Sequence, residues 1–173
     1  MKRYVLVGLA ILAAACGSSN PQQPSSTLPT KIVFTAALNP ANEVPPVTNA
    51  DSSGSGTGTF TLDLTRDSAG TITAAKATFV FSLQNFPAGT QVILAHIHPG
   101  GPGQNGSPVV NSGLTAANAI VLANGSVQNQ TFSNIDVSVT QAQQIIDNPN
   151  GFYYNVHTTL NSGGAARAQL VKQ

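Results

Sequence analysis

The sequence predicts an all-β fold, an antiparallel β-sandwich or barrel carrying one short helix. Seven to nine short stretches alternate apolar and polar residues, which is the period of a half-buried strand. Turn chemistry separates them, as in Arg66-Asp-Ser-Ala-Gly70, the Pro/Gly-rich run from Pro99 to Pro108, and Asn124-Gly125. Charged residues make up only 8% of the 173 positions while Ser, Thr, Asn and Gln abound, a composition that fits an exported all-β protein better than a cytosolic enzyme.

Residues 1–15 run from a short basic start through an apolar stretch to small residues. The stretch is shorter than the ~20 residues needed to cross a bilayer core, so it reads as an export signal. The only cysteine, Cys16, follows directly. The segment Leu12-Ala13-Ala14-Ala15-Cys16-Gly17 resembles the lipobox of bacterial lipoproteins, with Ala13 where that pattern prefers Leu. The resemblance implies cleavage before Cys16, acylation (palmitate) of its thiol, and a lipid anchor in the bacterial cell envelope, facing the periplasm or the cell exterior. Acylation also accounts for an unpaired cysteine in an oxidising compartment. More than one acyl chain would make that anchor stable. Loss of residues 1–15 removes Lys2 and Arg3 and leaves five basic residues against six acidic ones. No basic field remains for nucleic acid. Residues 16–30, with three prolines and almost nothing to bury, read as a disordered tether, and residues 31–173 as one domain.

Within that domain the first strand is Lys31–Leu38, followed by a long irregular loop over 39–55 that carries Pro40, Glu43, Pro45 and Pro46. Strand 56–65 puts Phe60, Leu62 and Leu64 on one face. Strand 71–83 returns with Phe79, Phe81 and Leu83 buried, which makes a hairpin. The strand over 91–98 crowds its apolar residues at 92–95, pointing to burial on both faces there. Short strands follow at 109–110, 119–123 and 126–135. Residues 140–147 form the one helix, capped by Thr140 and ended by Asn148-Pro-Asn-Gly151. Strands at 152–159 and 165–171 close the domain.

The three histidines of the chain all fall in two of these strands. His96 and His98 stand two apart, on one face and about 7 Å from each other. With His157 they form a set of neutral imidazoles that suits copper or zinc. The same set also suits a structural role, because imidazole donates and accepts at once and can tie a loop such as 99–108 to the sheet. Glu43 and Arg167 are two of the few charges, and an ion pair between them would pin the 39–55 loop against the last strand. The alternative is two separately solvated charges. Gly101-Pro-Gly-Gln-Asn-Gly106 spells a dinucleotide fingerprint but precedes Ser-Pro-Val-Val rather than a helix, so that reading fails. Asn105, Asn124 and Asn129 head glycosylation sequons that a bacterial lipoprotein does not normally use. No Gly-x-Ser-x-Gly elbow or paired-carboxylate motif supports a hydrolase.

Three ordered motifs remain: Ala37-Leu38-x₄-Glu43-Val-Pro-Pro46; Ala95-His-Ile-His98 with its Asn105-Gly-x-Pro-Val-Val110 tail; and Tyr154-Asn-Val-His-Thr158 followed by Gly163-Gly164-x-x-Arg167-x-Gln169-Leu170. Over about residues 31–172 they resemble the CHRD domain family, with Ala166 and Ala168 departing from its usual Ile and Gly. The resemblance implies an immunoglobulin-like β-barrel, an extracytoplasmic location and no established catalytic activity. A weaker resemblance, to copper/zinc superoxide dismutases, rests on the His-x-His strand and the Gly164-Ala-Ala-Arg167 turn. With no fourth histidine, the dinuclear site of that family is excluded. The expected function is a membrane-tethered, extracytoplasmic, non-catalytic binding or structural module for an unknown protein or small ligand. The alternative is a mononuclear copper- or zinc-binding protein using His96, His98 and His157, with superoxide-dismutase-like redox activity.

Overall fold

Apolar residues at every second position of long strands require two sheets to bury them, and the computed structural model, which describes residues 28–173, has that arrangement. The expected signal segment, Cys16 and the expected tether up to residue 27 lie outside the described residues. The first sheet holds β1 (Lys31–Leu38), β2 (Ser55–Arg66), β3 (Ile72–Gln84), β7 (Val127–Val137) and β10 (Val171–Lys172), in the order β10-β1-β2-β3-β7. The second holds β4 (Thr90–Pro99), β5 (Val110–Asn111), β6 (Ile120–Leu122), β8 (Phe152–Thr158) and β9 (Ala166–Gln169), in the order β5-β4-β8-β9, with β6 also on β4. All pairings are antiparallel. The protein is an antiparallel β-sandwich, with one α-helix among the described residues, α1 (Val139–Asp147).

An aromatic line crosses the core. Phe34 meets Phe60, Phe60 meets Phe79 edge-on, and Phe79 meets Tyr154 of the opposite sheet edge-on, at centroid separations of 6.1, 5.1 and 5.5 Å. Gly58 makes room for this, since a Cβ there would lie 2.9 Å from the Tyr154 ring.

Four details depart from the sequence reading. The helix is capped by Ser138, not Thr140: Ser138 has the extended backbone that a cap requires, and its hydroxyl accepts from the Gln141 amide at 3.2 Å. The expected closing strand over 165–171 is two strands. β9 pairs with β8, buried Leu170 follows, and β10 crosses to β1, so the described residues hold ten strands rather than nine at most. Pro29 and Thr30, assigned to the tether, are bonded to β2: Arg66 donates to the Pro29 carbonyl and the Leu64 amide to that of Thr30. Finally, two-sided burial in β4 falls at 95–98, because Ile93 and Leu94 are only partly covered.

Candidate functional site

The site lies on the outer face of the second sheet. Alternation along β4 and β8 turns Ala95, Ile97, Tyr154 and Val156 into the core and leaves His96, His98, Tyr153, Asn155 and His157 on the other side. Register then sets the neighbours: His98 opposes Tyr153, His96 opposes Asn155, and Asn155 opposes Arg167 of β9. This outer face is polar yet buried, because the 39–54, 99–109 and 159–165 segments fold over it. His96, His98, His157 and Arg167 are 8%, 6%, 4% and 2% exposed.

The structure brings all three histidines together. Their ring centroids are 4.9 to 5.8 Å apart, and one nitrogen from each lies within 4.8 Å of the others. His98 Nδ1 bonds the Gly106 carbonyl at 2.8 Å and His157 Nδ1 the Ser162 carbonyl at 3.0 Å. A carbonyl oxygen only accepts, so both Nδ1 atoms carry the proton and each Nε2 keeps a lone pair. Those two Nε2 atoms, and His96 Nδ1, are buried without a hydrogen-bond partner. Burial, then mutual repulsion with the His157 and His98 rings, pushes the His96 pKa down to about 4. Burial also takes His157 down to about 4, against its bond to Ser162 and helped by His98. His98 is lowered by burial, opposed by its bond to Gly106 and reinforced by the Arg167 charge. At neutral pH all three are uncharged bases.

That is the state in which imidazole ligates a transition metal. Copper and zinc sit about 2.0–2.1 Å from a ligating nitrogen, so three nitrogens spread around one ion are about 3.3–3.6 Å apart. Side-chain movements of about an ångström close the present span of up to 4.8 Å onto one ion. Metal-bound histidines usually donate their other N–H to a carbonyl or carboxylate, as His98 and His157 do here.

Beside the histidines, Arg167 is held by two loops. Its Nε donates to the Asn42 carbonyl (2.7 Å) and its Nη1 to Asn105 Oδ1 (2.8 Å). Its guanidinium stacks 4.4 Å from the Tyr153 ring centroid, and that ring lies parallel to His98 at 4.9 Å. The expected direct Glu43–Arg167 ion pair does not form. Among the described residues the ion pairs are the exposed Lys31–Asp63 and Lys76–Asp136. Backbone and amide oxygens have taken the guanidinium's donors instead, leaving Glu43 Oε1 and Arg167 Nη2 both buried and unpartnered. Glu43 is nonetheless in the cluster: Asn155 bonds its carboxyl, and burial raises its pKa to about 7 against the opposing Arg167 charge. Gly164, at φ +145°, allows this packing, because a Cβ there would lie 2.5 Å from Glu43 Oε2 and 2.8 Å from Asn155 Nδ2.

Sequence reasoning overlooked Tyr153, Asn155, Asn105 and Asp51. The first two were findable, since both precede His157 at even spacing and therefore share its face. Asp51, 1% exposed, anchors the 39–54 loop by accepting from Thr158 Oγ1 (2.6 Å) and Asn161 Nδ2 (2.7 Å). No periodic signal marks a loop residue of that kind. Among the described residues, the six buried side-chain polar atoms without a partner belong to Glu43, His96, His98, Asn155, His157 and Arg167.

A family model described as CHRD domain matches residues 34–170. No curated protein and no solved structure matches the chain.

Proposed function

Because the chain belongs to the CHRD domain family, matched over more than half of its length, we propose that it is a non-catalytic, membrane-tethered extracytoplasmic module whose three histidines bind one copper or zinc ion. The family fits a non-catalytic module. The observation that carries the metal reading is the convergence of three neutral, buried imidazoles, each with a nitrogen lacking a partner. Buried polar groups in folded proteins are almost always satisfied, and three lone pairs within reach of one point suit a cation better than water alone. The anchor and the envelope location rest on the lipobox-like segment around Cys16.

Full-length protein purified in detergent and subjected to metal analysis should retain about one copper or zinc per chain. The double variant His96→Ala/His98→Ala should retain none while keeping the far-ultraviolet spectrum of a β-sandwich. If the wild-type chain holds neither metal, the reading is wrong. Cys16→Ser should move the protein from the membrane fraction to the soluble fraction, and a variant that stays with membranes would exclude acylation as the anchor.

A second reading, a partner-binding module whose histidines serve only the fold, draws on the bonds from His98 and His157 to loop carbonyls. Under it, the double variant would lose stability while the wild type carried no metal.

A further inference from the structure

We infer that the three-histidine centre selects copper in its monovalent state over the divalent ions Zn(II) and Cu(II). This rests on the metal reading above and goes beyond it, from a class of ion to its charge.

The argument is electrostatic. The three candidate ligands are neutral imidazoles, with neither a thiolate nor a carboxylate in the set. A buried ion without anionic ligands keeps its full charge in a medium of low dielectric constant, and the cost of that rises with the charge. A fixed cation stands close by. Arg167 is buried, and two stacking steps of 4.4 and 4.9 Å through Tyr153 put its guanidinium no farther than 9.3 Å from the His98 ring. Glu43 does not cancel this charge: the carboxyl makes no direct ion pair with the guanidinium, and its burial favours the neutral form. At that range and an effective dielectric constant of ~20, each added unit of ion charge costs on the order of tenfold in affinity. Coordination number acts in the same direction. Zn(II) is almost always four-coordinate, so three histidines leave it needing a water on a face that loops cover. Cu(I) is satisfied by three nitrogens.

The full-length protein in detergent is titrated with Cu(I) in ascorbate against a colorimetric Cu(I) chelator, and with Zn(II) against a zinc chromophore. The same titrations on Arg167→Gln and Arg167→Lys isolate the charge. Wild type should hold Cu(I) more tightly than Zn(II). Arg167→Gln should shrink that preference about tenfold and lower the potential of the bound copper couple by about 60 mV, the one-electron equivalent. Arg167→Lys should restore both. Tighter binding of Zn(II) or Cu(II) by wild type would overturn the inference and leave the metal reading standing. So would a potential that is unmoved in folded Arg167→Gln. Retention of no metal at all would overturn both. If Arg167→Gln does not fold, the wild-type affinities decide alone.

Discussion

The two faces of the β4–β8 pair are built from alternate residues of the same strands, and they obey opposite rules. On the inner face Ala95, Ile97, Tyr154 and Val156 are buried among apolar neighbours, and the Tyr154 hydroxyl donates to the Val80 carbonyl. The outer face is covered almost as completely, but with imidazole, carboxyl, amide and guanidinium groups, six of whose atoms have no partner. Burial by an opposing sheet yields stability, because every apolar group removed from water contributes. Burial of polar groups by loops alone opposes stability, since each unpaired atom costs about 1–3 kcal/mol. A fold that maintains the second arrangement beside the first holds a set of groups poised for something other than cohesion.

Three measurements would break or sharpen that contrast. The largest effect should come from the inner side: Phe79→Ala, which empties the centre of the aromatic line, should cost about 3–5 kcal/mol in chemical denaturation. If the His96→Ala/His98→Ala protein lost as much, the outer face would be core like the inner one, and the contrast would fail. Gly164→Ala should cost less, about 1–3 kcal/mol, because it strains a backbone only glycine adopts readily and drives a methyl group into Glu43 and Asn155. Metal retention should fall with it, whereas the same modest loss from an inner-face Val156→Ala should leave retention unchanged.

The smallest effect should be a slope of stability with pH. The folded pKa values of His96 and His157, about 4, lie below the usual 6.5. Between these values the unfolded chain binds more protons, so the stability they contribute is present above about 6.5 and is lost as pH falls towards about 4. His98 acts in the same direction. Glu43 opposes them: with a folded pKa of about 7 against 4.5, its contribution is full below about 4.5 and is lost as pH rises through about 7. The histidines outnumber it, so stability measured by denaturation should rise from pH 4.5 to 6.5, and Glu43→Gln should steepen the rise. A flat profile would mean that water enters beneath the loops and that the face is not buried in solution.

The β-sandwich was legible because period two is read directly from residues such as Phe60-x-Leu62-x-Leu64 and Phe79-x-Phe81-x-Leu83. The same rule put His96 and His98 side by side, and would have added Tyr153 and Asn155 to His157. What alternation cannot show is which strand lies next to which. The crossing at Leu170, where the chain leaves β8 for β1, follows from pairing with residues more than 130 positions earlier. The missing Glu43–Arg167 ion pair has a similar origin: both side chains do reach the cluster, but the Asn42 carbonyl and Asn105 occupy the guanidinium's donors, and neither is visible from charge alone. The helix cap shifted by two residues because Ser138 and Thr140 are chemically equivalent at that end, and only the backbone decides between them.

The bridge between Asn39 and Arg167 also sets an orientation. It places the arginine, with His157 one strand away and His96 and His98 two strands away, level with the far end of β1, one strand length from Lys31. Eight residues of strand span about 26 Å. An attachment upstream of Lys31 would therefore hold the domain at one pole and leave the loops that cover the imidazoles at the other.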